Sequence, residues 1–479
     1  MYRCKNDWKS CIIQHDSGSE STPLFSSGSH TSIEPSIFQD SETSDLDCTP
    51  TNSYFKFSIW NTILGSSLLT IPWGIQMAGF FPGIILIFVM SGLCLYTAYC
   101  LLLVHKYYGG QKGIEVIQLC RIYLNKWAEY VAKAFSITVL IGATIAYWVL
   151  MSNFLYNTVN FIYDSLVSQY YTNDNISYTS EVLCPKRIIY NSTNLITRDY
   201  TYNTLGPVWD LYKTVPIFLG LLIFPFLNFN SPTFFTKFNS LGTMSIIYLI
   251  TFVLIKSYSW GINMNEIEWN ISWTLKFSFP ALSGMLALSF FIHNIIITVM
   301  QNNHDQSKNG RDLSIAYLLV TLTYIIVGVV FYVCFPLNKS CIEDNLLNNF
   351  QKWNGLTVGA RIVLLFQLLT VYPLLAYMLR VQLLTSTCKT FNTGCVILVN
   401  VILVSICILF AVFVPYIGTI IRYTGALSGF IYVFTLPSLL YLAILKQQKK
   451  LTIFSILLHT SIPIFGFLNL LAQFFIAEN

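Results

Sequence analysis

About eleven apolar runs recur along this chain, each close to the roughly 20 residues that a helix needs to cross a bilayer. They lie near 57–79, 82–104, 131–163, 214–230, 239–258, 277–301, 312–335, 357–384, 393–413, 417–444 and 453–476. Inside lipid only helices and closed barrels satisfy their own backbone polar groups, and runs of this length predict helices. The expected fold class is therefore an all-α membrane protein. Charge agrees: 10% of the 479 residues are charged and the mean hydropathy is +0.59, against roughly 25% charged in a soluble domain. The ninth and tenth runs meet at "VPYIG", too tight a link to leave the membrane interface.

The first run, "FSIWNTILGSSLLTIPWGIQMAGF" (57–80), holds Asn61, Thr62, Gly65, Ser66, Ser67, Thr70, Pro72 and Gly74 in its middle. These residues weaken or break a helix. Unwound backbone in a bilayer costs several kcal/mol per unsatisfied group unless it lines a watery cavity within the protein. The sixth run, "LKFSFPALSGMLALSFFIHNIIITVM", carries Pro280, Ser283 and Gly284, and the interruption is expected there. If these two runs open two five-helix halves, the odd number inserts the second half upside down, giving an inverted repeat (about 57–258 and 277–444) plus a final helix near 453–476. Paired interruptions in such repeats mark midplane substrate and ion sites, so Ser283 and Gly284 become candidate substrate contacts. The competing reading is close helix packing through small residues and a simple proline kink.

Topology follows from charge and glycosylation patterns. Residues 1–52 lack the opening of a signal peptide and read as a disordered cytosolic tail, with the first apolar run as insertion signal. The tail's three basic residues (Arg3, Lys5, Lys9) face eight acidic ones, leaving a nucleic-acid role without support. With the N-terminus cytosolic, Lys106, Lys112, Arg121, Lys126, Lys237, Lys308, Arg311, Lys389, Lys446, Lys449 and Lys450 fall on the inside, as the positive-inside bias expects. The acceptor triplets at Asn175, Asn191, Asn270 and Asn338 then all fall outside or in a lumen, the first two in a loop spanning about 166–213. Cys184 and Cys341 share that oxidising side and are expected to form a disulfide; two unpaired thiols are the alternative. The other cysteines read as packing residues.

No Asp or Glu falls deep in a predicted span, since Glu129, Asp164 and Asp312 sit at ends. A proton relay built on buried carboxylates lacks its parts. A coupling cation would be held by neutral oxygens, which suits Na⁺ by analogy with other hard ions. Thr370, flanked by Gln367 and Tyr372, is a candidate; the alternative is a hydroxyl satisfying its own helix carbonyl. Tyr147 and Asn153 are candidates to line the cavity, and Trp148 reads as packing. His293 is expected to be neutral and bonded to neighbouring backbone or Asn294. Arg361 and Arg380 are expected to snorkel to the interface. Nucleophile, base and orienting group do not come together, nor does a metal cluster, so an enzyme and an organic cofactor are not expected.

The stretches "WNTILGSSLLTIPWGIQMAGF", "YWVLMSNFLYNT" (147–158), "FFIHNIIIT" (290–298), "RDLSIAYLLVTLTY" (311–324) and "LLFQLLTVYPLLAYMLRVQLL" (364–384) together resemble solute carrier family 38, within the amino acid/auxin permease superfamily. The likeness runs from about residue 55 to the C-terminus. It implies a leucine-transporter-type fold of five plus five inverted helices with one extra, and Na⁺-coupled export of amino acids (arginine, leucine and glutamine as candidates). Its lysosomal, arginine-gated branch implies a signalling role upstream of the TOR kinase. Asn61 and Thr370 match the family's sodium-binding residues. Thr62, Ile63, Leu64, Gly65, Ser66 and Ser67 match the segment that holds the amino acid's backbone groups, with Ile63-Leu64-Gly65-Ser66-Ser67 where the family has Met-Met-Gly-Thr-Ser. The tail is shorter than in that branch, and only "SIEPSIF" (32–38) is similar to the segments that dock on a Rag GTPase–Ragulator complex. A receptor that signals through the tail and moves little amino acid is the alternative to a carrier.

Overall fold

The computed structural model describes residues 52–111, 113–168, 181–185, 206–228, 241–303, 305–387 and 393–476. The expected tail, Asn175 and Asn191 lie outside the described residues. Among those described the fold is helical, and the sole β pairing is an isolated bridge between Val182 and Phe350.

The first apolar run forms α1 (Asn52–Ile63), a 3-10 turn (Ser66–Leu69) and α2 (Ile71–Ala78). Gly79, at φ +98°, turns the chain at once into α3 (Phe80–Tyr107), a geometry that an L side chain resists. A short helix α4 (Val116–Tyr123) precedes the long third segment α5 (Lys126–Ser168). Then come α6 (Val215–Leu227), α7 (Leu241–Trp260) and the short α8 (Glu266–Ile271). The sixth run splits into α9 (Pro280–Ser289) and α10 (Ile296–Gln301). The rest is α11 (Asn309–Cys334), α12 (Gly355–Thr387), α13 (Thr393–Phe413), α14 (Ile417–Ser428) joined through a π turn (Gly429–Thr435) to α15 (Leu436–Gln447), and α16 (Ile453–Ala472). Eight of these stretches are long and apolar enough to cross a membrane unaided. The first, fourth and sixth runs are instead a broken pair, a helix of 13 residues and a second broken pair.

Several contacts between segments come in pairs that a repeat would relate. The first segment packs on the seventh (α1 and α2 on α11) and the sixth on the second (α9 and α10 on α3). The fifth packs on the seventh (α7 on α11) and the tenth on the second (α15 on α3). The third packs on the tenth (α5 on α14) and the eighth on the fifth (α12 on α7). Exchanging each of the first five segments for the one five places later carries these pairs onto one another, whereas the close sixth–tenth contact (α9 on α14) has no first–fifth counterpart of comparable extent. The third and eighth, which exchange with each other, are also in contact.

Two features fix the ends. The Cys184–Cys341 disulfide forms, with Cα atoms 4.9 Å apart, inside the usual 4.4–6.8 Å range. The last carbonyls of α2 are capped from the approach to α9: Lys276 Nζ donates to Gln76 O at 2.6 Å and Ser278 Oγ to Met77 O at 2.6 Å. A cation at a helix C-terminus also meets the favourable end of the dipole. Asn270 and Asn338 are exposed.

Three expectations are corrected. The sixth run unwinds at 290–295, not at Pro280, Ser283 and Gly284: proline is tolerated in the first turn, where its missing N–H is not needed. Arg361 and Arg380 do not snorkel; they are 2% and 5% exposed, with carbonyls as acceptors. Of the two partners expected for His293, Asn294 is not found; the ring bonds the Thr97 hydroxyl of α3 (2.9 Å), beside the Cys94 backbone. Asp312, although at the start of α11, is fully buried, with Lys56 at 3.7 Å and Asn303 and Arg311 beside it.

Helices α9 and α14 approach through glycines. A Cβ on Gly425 would overlap the Gly284 carbonyl oxygen, and one on Gly284 would lie 2.8 Å from the Arg422 carbonyl. Gly425→Ala is therefore expected to lower stability by about 1–3 kcal/mol, as overpacking does. Gly92→Ala, where nothing lies within 4 Å, should leave it within about 0.5 kcal/mol. Thermal unfolding of the two purified variants checks the difference.

Candidate functional site

The break in the first segment strips a run of peptide groups of their helical partners. Leu64 N–H still reaches Trp60 O (3.0 Å), and Leu68 N–H closes on Gly65 O (3.3 Å). Between them the N–H groups of Gly65, Ser66 and Ser67 find no backbone acceptor among the described residues, and the carbonyls of Asn61, Thr62, Ile63 and Leu64 find no backbone donor. The N–H groups suit an anion and the carbonyls a cation.

A cavity of about 30 Å³ lies against this break, room for one or two waters. Leu64, Gly65 and Ser66 form its floor, α5 contributes Tyr147, Leu150 and Phe154, and α12 contributes Leu364, Gln367 and Leu368. The Tyr147 hydroxyl lies 3.7 Å from where a Gly65 Cβ would be. Any side chain at residue 65 would narrow the space between that hydroxyl and the bare peptide groups.

Asn61 and Gln367 converge over α7. A Cβ on Gly242 would lie 3.6 Å from Asn61 Oδ1 and 3.0 Å from Gln367 Nε2. One turn along α12, Thr370 Oγ1 donates to the Gln367 carbonyl (2.7 Å). A hydroxyl that donates its proton keeps both lone pairs, so this bond does not prevent Thr370 from facing a cation. Thr62 is spent in the same way on Ser58 O (2.8 Å) and is exposed. Ile63 is buried in the core.

Other candidates point elsewhere. Ser283 Oγ bonds Asn469 of α16 and Pro280 O, and Gly284 abuts Arg422 and Gln473; neither lines the cavity. Asn153 accepts from Asn157 (3.3 Å) and Asn345 (3.4 Å), nearer the disulfide end. Trp148 is fully buried against Tyr372, whose hydroxyl meets Cys407 Sγ.

Sequence reasoning missed Tyr324 and Tyr317. Tyr324 Oη donates to Ser289 O (2.9 Å), and Tyr317 Oη donates to Phe290 O (3.0 Å), so two carbonyls freed by the break in the sixth segment are satisfied from α11. Having spent its one proton, Tyr324 Oη accepts from Ser67 Oγ (3.2 Å) in the first break. One hydroxyl thus joins both interruptions. A TxxY spacing (Thr321 to Tyr324) facing inward on a span was the available signal. The half-segment α10 is tethered through the Thr298 hydroxyl to Glu115, whose carboxyl burial pushes up to about 7.

A family model described as transmembrane amino acid transporter protein matches residues 51–182 and 200–477. Among curated relatives, the neutral amino acid transporter 9 of Xenopus laevis is 44% identical over 441 residues, 88% of this chain and 79% of its own length. The rat protein of the same name is 42% identical over 446 residues (88% and 78%). The sodium-coupled neutral amino acid transporter 9 homolog of Caenorhabditis elegans is 40% identical over 446 residues (88% and 72%).

Tyr324→Phe should leave the Ser289 carbonyl and the Ser67 hydroxyl unpaired in a dry setting, at a cost of about 1–3 kcal/mol. Amino-acid binding to the purified variant, measured by calorimetry beside thermal unfolding, is expected to weaken at least about tenfold. Tyr317→Phe, which touches only the sixth break, should weaken it less.

Proposed function

Because the chain belongs to the transmembrane amino acid transporter family, we propose that it is a sodium-coupled carrier that moves amino acids by alternating access. The observation that carries this reading is the run of N–H groups at Gly65, Ser66 and Ser67 without a backbone acceptor among the described residues, the first two of these residues lining the cavity. A substrate carboxylate accepts from those three groups, gaining charge-assisted hydrogen bonds and the field of the following helical turn. The substrate ammonium donates to hydroxyl and carbonyl oxygens, the Tyr147 hydroxyl among them, 3.7 Å from where a Gly65 Cβ would be. The cavity is smaller than an amino acid, so loading requires α1 and α5 or α12 to part. Closure over the substrate then removes water and strengthens each of these contacts.

For Na⁺ we propose a site between the first and eighth segments, with Asn61 Oδ1, freed carbonyls of α1 and Thr370 Oγ1 as ligands. Neutral oxygens are the donors a hard cation prefers. Substrate and ion share one unwound segment in this arrangement. Binding of Na⁺ orders the peptide groups that hold the carboxylate, and that shared ordering is the coupling. The sodium-coupled name of the nematode relative supports this part.

The reading extends to the lysosomal membrane, with the N-terminus cytosolic, glycosylation at Asn175, Asn191, Asn270 and Asn338 on the lumenal side, arginine as the regulating amino acid, and a Rag GTPase–Ragulator complex as partner of the tail. The family resemblance alone supports these points, apart from the charge and glycosylation patterns behind the orientation.

Counter-flow of labelled arginine, leucine and glutamine in proteoliposomes, with and without Na⁺, tests the proposal. Flux of at least one amino acid should rise with Na⁺. Thr370→Val should abolish that dependence and cut Na⁺-driven flux at least about tenfold, the equivalent of losing one good ligand. Thr370→Ser should retain both. Equal flux with and without Na⁺, or a Thr370→Val variant indistinguishable from the parent, contradicts the sodium site.

A further inference from the structure

Beyond the central cavity, α5 and α12 continue toward the end of the bundle that carries the Cys184–Cys341 bridge. Thr357, Arg361, Leu364, Leu368 and Val371 recur every three or four residues on α12 and share one face. The last three line the cavity. Opposite, α5 runs antiparallel: Phe154 lines the cavity, Lys352 Nζ lies 5.7 Å from the Tyr156 ring, and the Phe161 and Trp353 rings are 5.9 Å apart. Arg361 therefore stands between the cavity and the bridged loops, one turn past Leu364.

Its surroundings are incomplete. Arg361 is 2% exposed, and its Nη2 donates to the Leu347 (2.8 Å) and Phe350 (3.3 Å) carbonyls. Among the described residues its Nε and Nη1 have no hydrogen-bond partner, and neither has the hydroxyl of Thr357, one turn away and fully buried. Among the described residues Arg361 forms no ion pair. A guanidinium does not shed its proton in a protein, and a buried charge without a counter-charge is strongly unfavourable. Lys352 adds positive charge nearby: burial lowers its ammonium from the usual range, Asp164 acts against that shift and Arg361 adds to it.

We propose that Arg361 and Thr357 form a binding site for a small monoanion, a halide or a free carboxylate, on the approach to the central cavity. The guanidinium offers Nε–H and Nη1–H and Thr357 its O–H, while the two loop carbonyls fix the plane of the guanidinium through Nη2. Charge-assisted bonds of this type are the strong ones, and arginine is the residue suited to bidentate carboxylate recognition. The place of this site on a transport path rests on the carrier reading; anion binding itself does not.

The test is thermal unfolding of the purified full chain in detergent without amino acid, at constant Na⁺ and ionic strength. Chloride or acetate replaces a bulky sulfonate in steps. At least one should raise the Tm saturably. In Arg361→Gln the saturable rise should vanish, while in sulfonate alone the variant is as stable as the parent or more so, because an unpaired buried charge is gone. Thr357→Val should weaken the apparent affinity about tenfold without abolishing it. Response to chloride identifies a halide site, and response to acetate alone identifies the carboxylate of an amino acid in passage. The absence of any saturable rise in the parent overturns the proposal, as does an equal rise in Arg361→Gln or a loss of stability in that variant equal in every anion. Should Arg361→Gln fail to fold, Arg361→Lys, which keeps the charge with a different donor geometry, must show a saturable response at least about tenfold weaker, and an unchanged response overturns the proposal. No transport enters this readout, so its failure leaves the carrier reading standing, and failed counter-flow leaves the anion site standing.

Discussion

The Tyr324 hydroxyl is the contact on which the centre of this protein depends. Two helices come undone inside an apolar bundle, and each freed peptide group needs a partner or a polar ligand. Tyr324 donates to Ser289 O in one break and accepts from Ser67 Oγ in the other. It satisfies a carbonyl of the sixth segment while fixing the start of the 3-10 turn in the first. Trp60, whose Nε1–H donates to Thr323 Oγ1 of the same helix (3.1 Å), holds α1 just before its break. α11 is thus the helix against which both broken segments are registered.

The two breaks differ in how their freed carbonyls are met. In the sixth segment, carbonyls at the end of α9 are taken by tyrosines, and His293 is held by Thr97. In the first, three N–H groups and four carbonyls have no backbone partner among the described residues. Among the described residues the N–H groups of Ile292, His293 and Asn294 in the sixth break also lack a backbone acceptor, but the cavity is lined from the first break only. The close passage of Gly284 and Gly425 sets the distance between α9 and α14.

Much of the fold was legible in the sequence because a bilayer leaves few choices. Apolar length alone marked the segments, and the ninth, tenth and final runs begin at the residues the structure gives, Thr393, Ile417 and Ile453. The break at Gly65 was legible because Asn, Gly, Ser, Thr and Pro cluster there. The break at 290–295 was not, since its residues are mostly apolar and its freed carbonyls are satisfied by tyrosines contributed from a helix some 30 residues on. Proline and glycine drew attention to 280–284 instead, where a first turn and a glycine-mediated helix contact accommodate them. The same blindness to tertiary partners affected Arg361 and Arg380: near the ends of a span an arginine reads as interfacial, and only the folded loops reveal carbonyls that hold it inside. Cys184 and Cys341 were paired by compartment rather than by distance, and the fold brings them together.

The most direct measurement of the central claim is amide hydrogen exchange of the purified chain with and without amino acid and Na⁺. Residues 64–70 should exchange faster than the flanking α3 in the free protein, because Gly65, Ser66 and Ser67 lack backbone acceptors, and should be protected when both ligands are present. Exchange over 64–70 as slow as in α3, unchanged by ligand, would contradict the account.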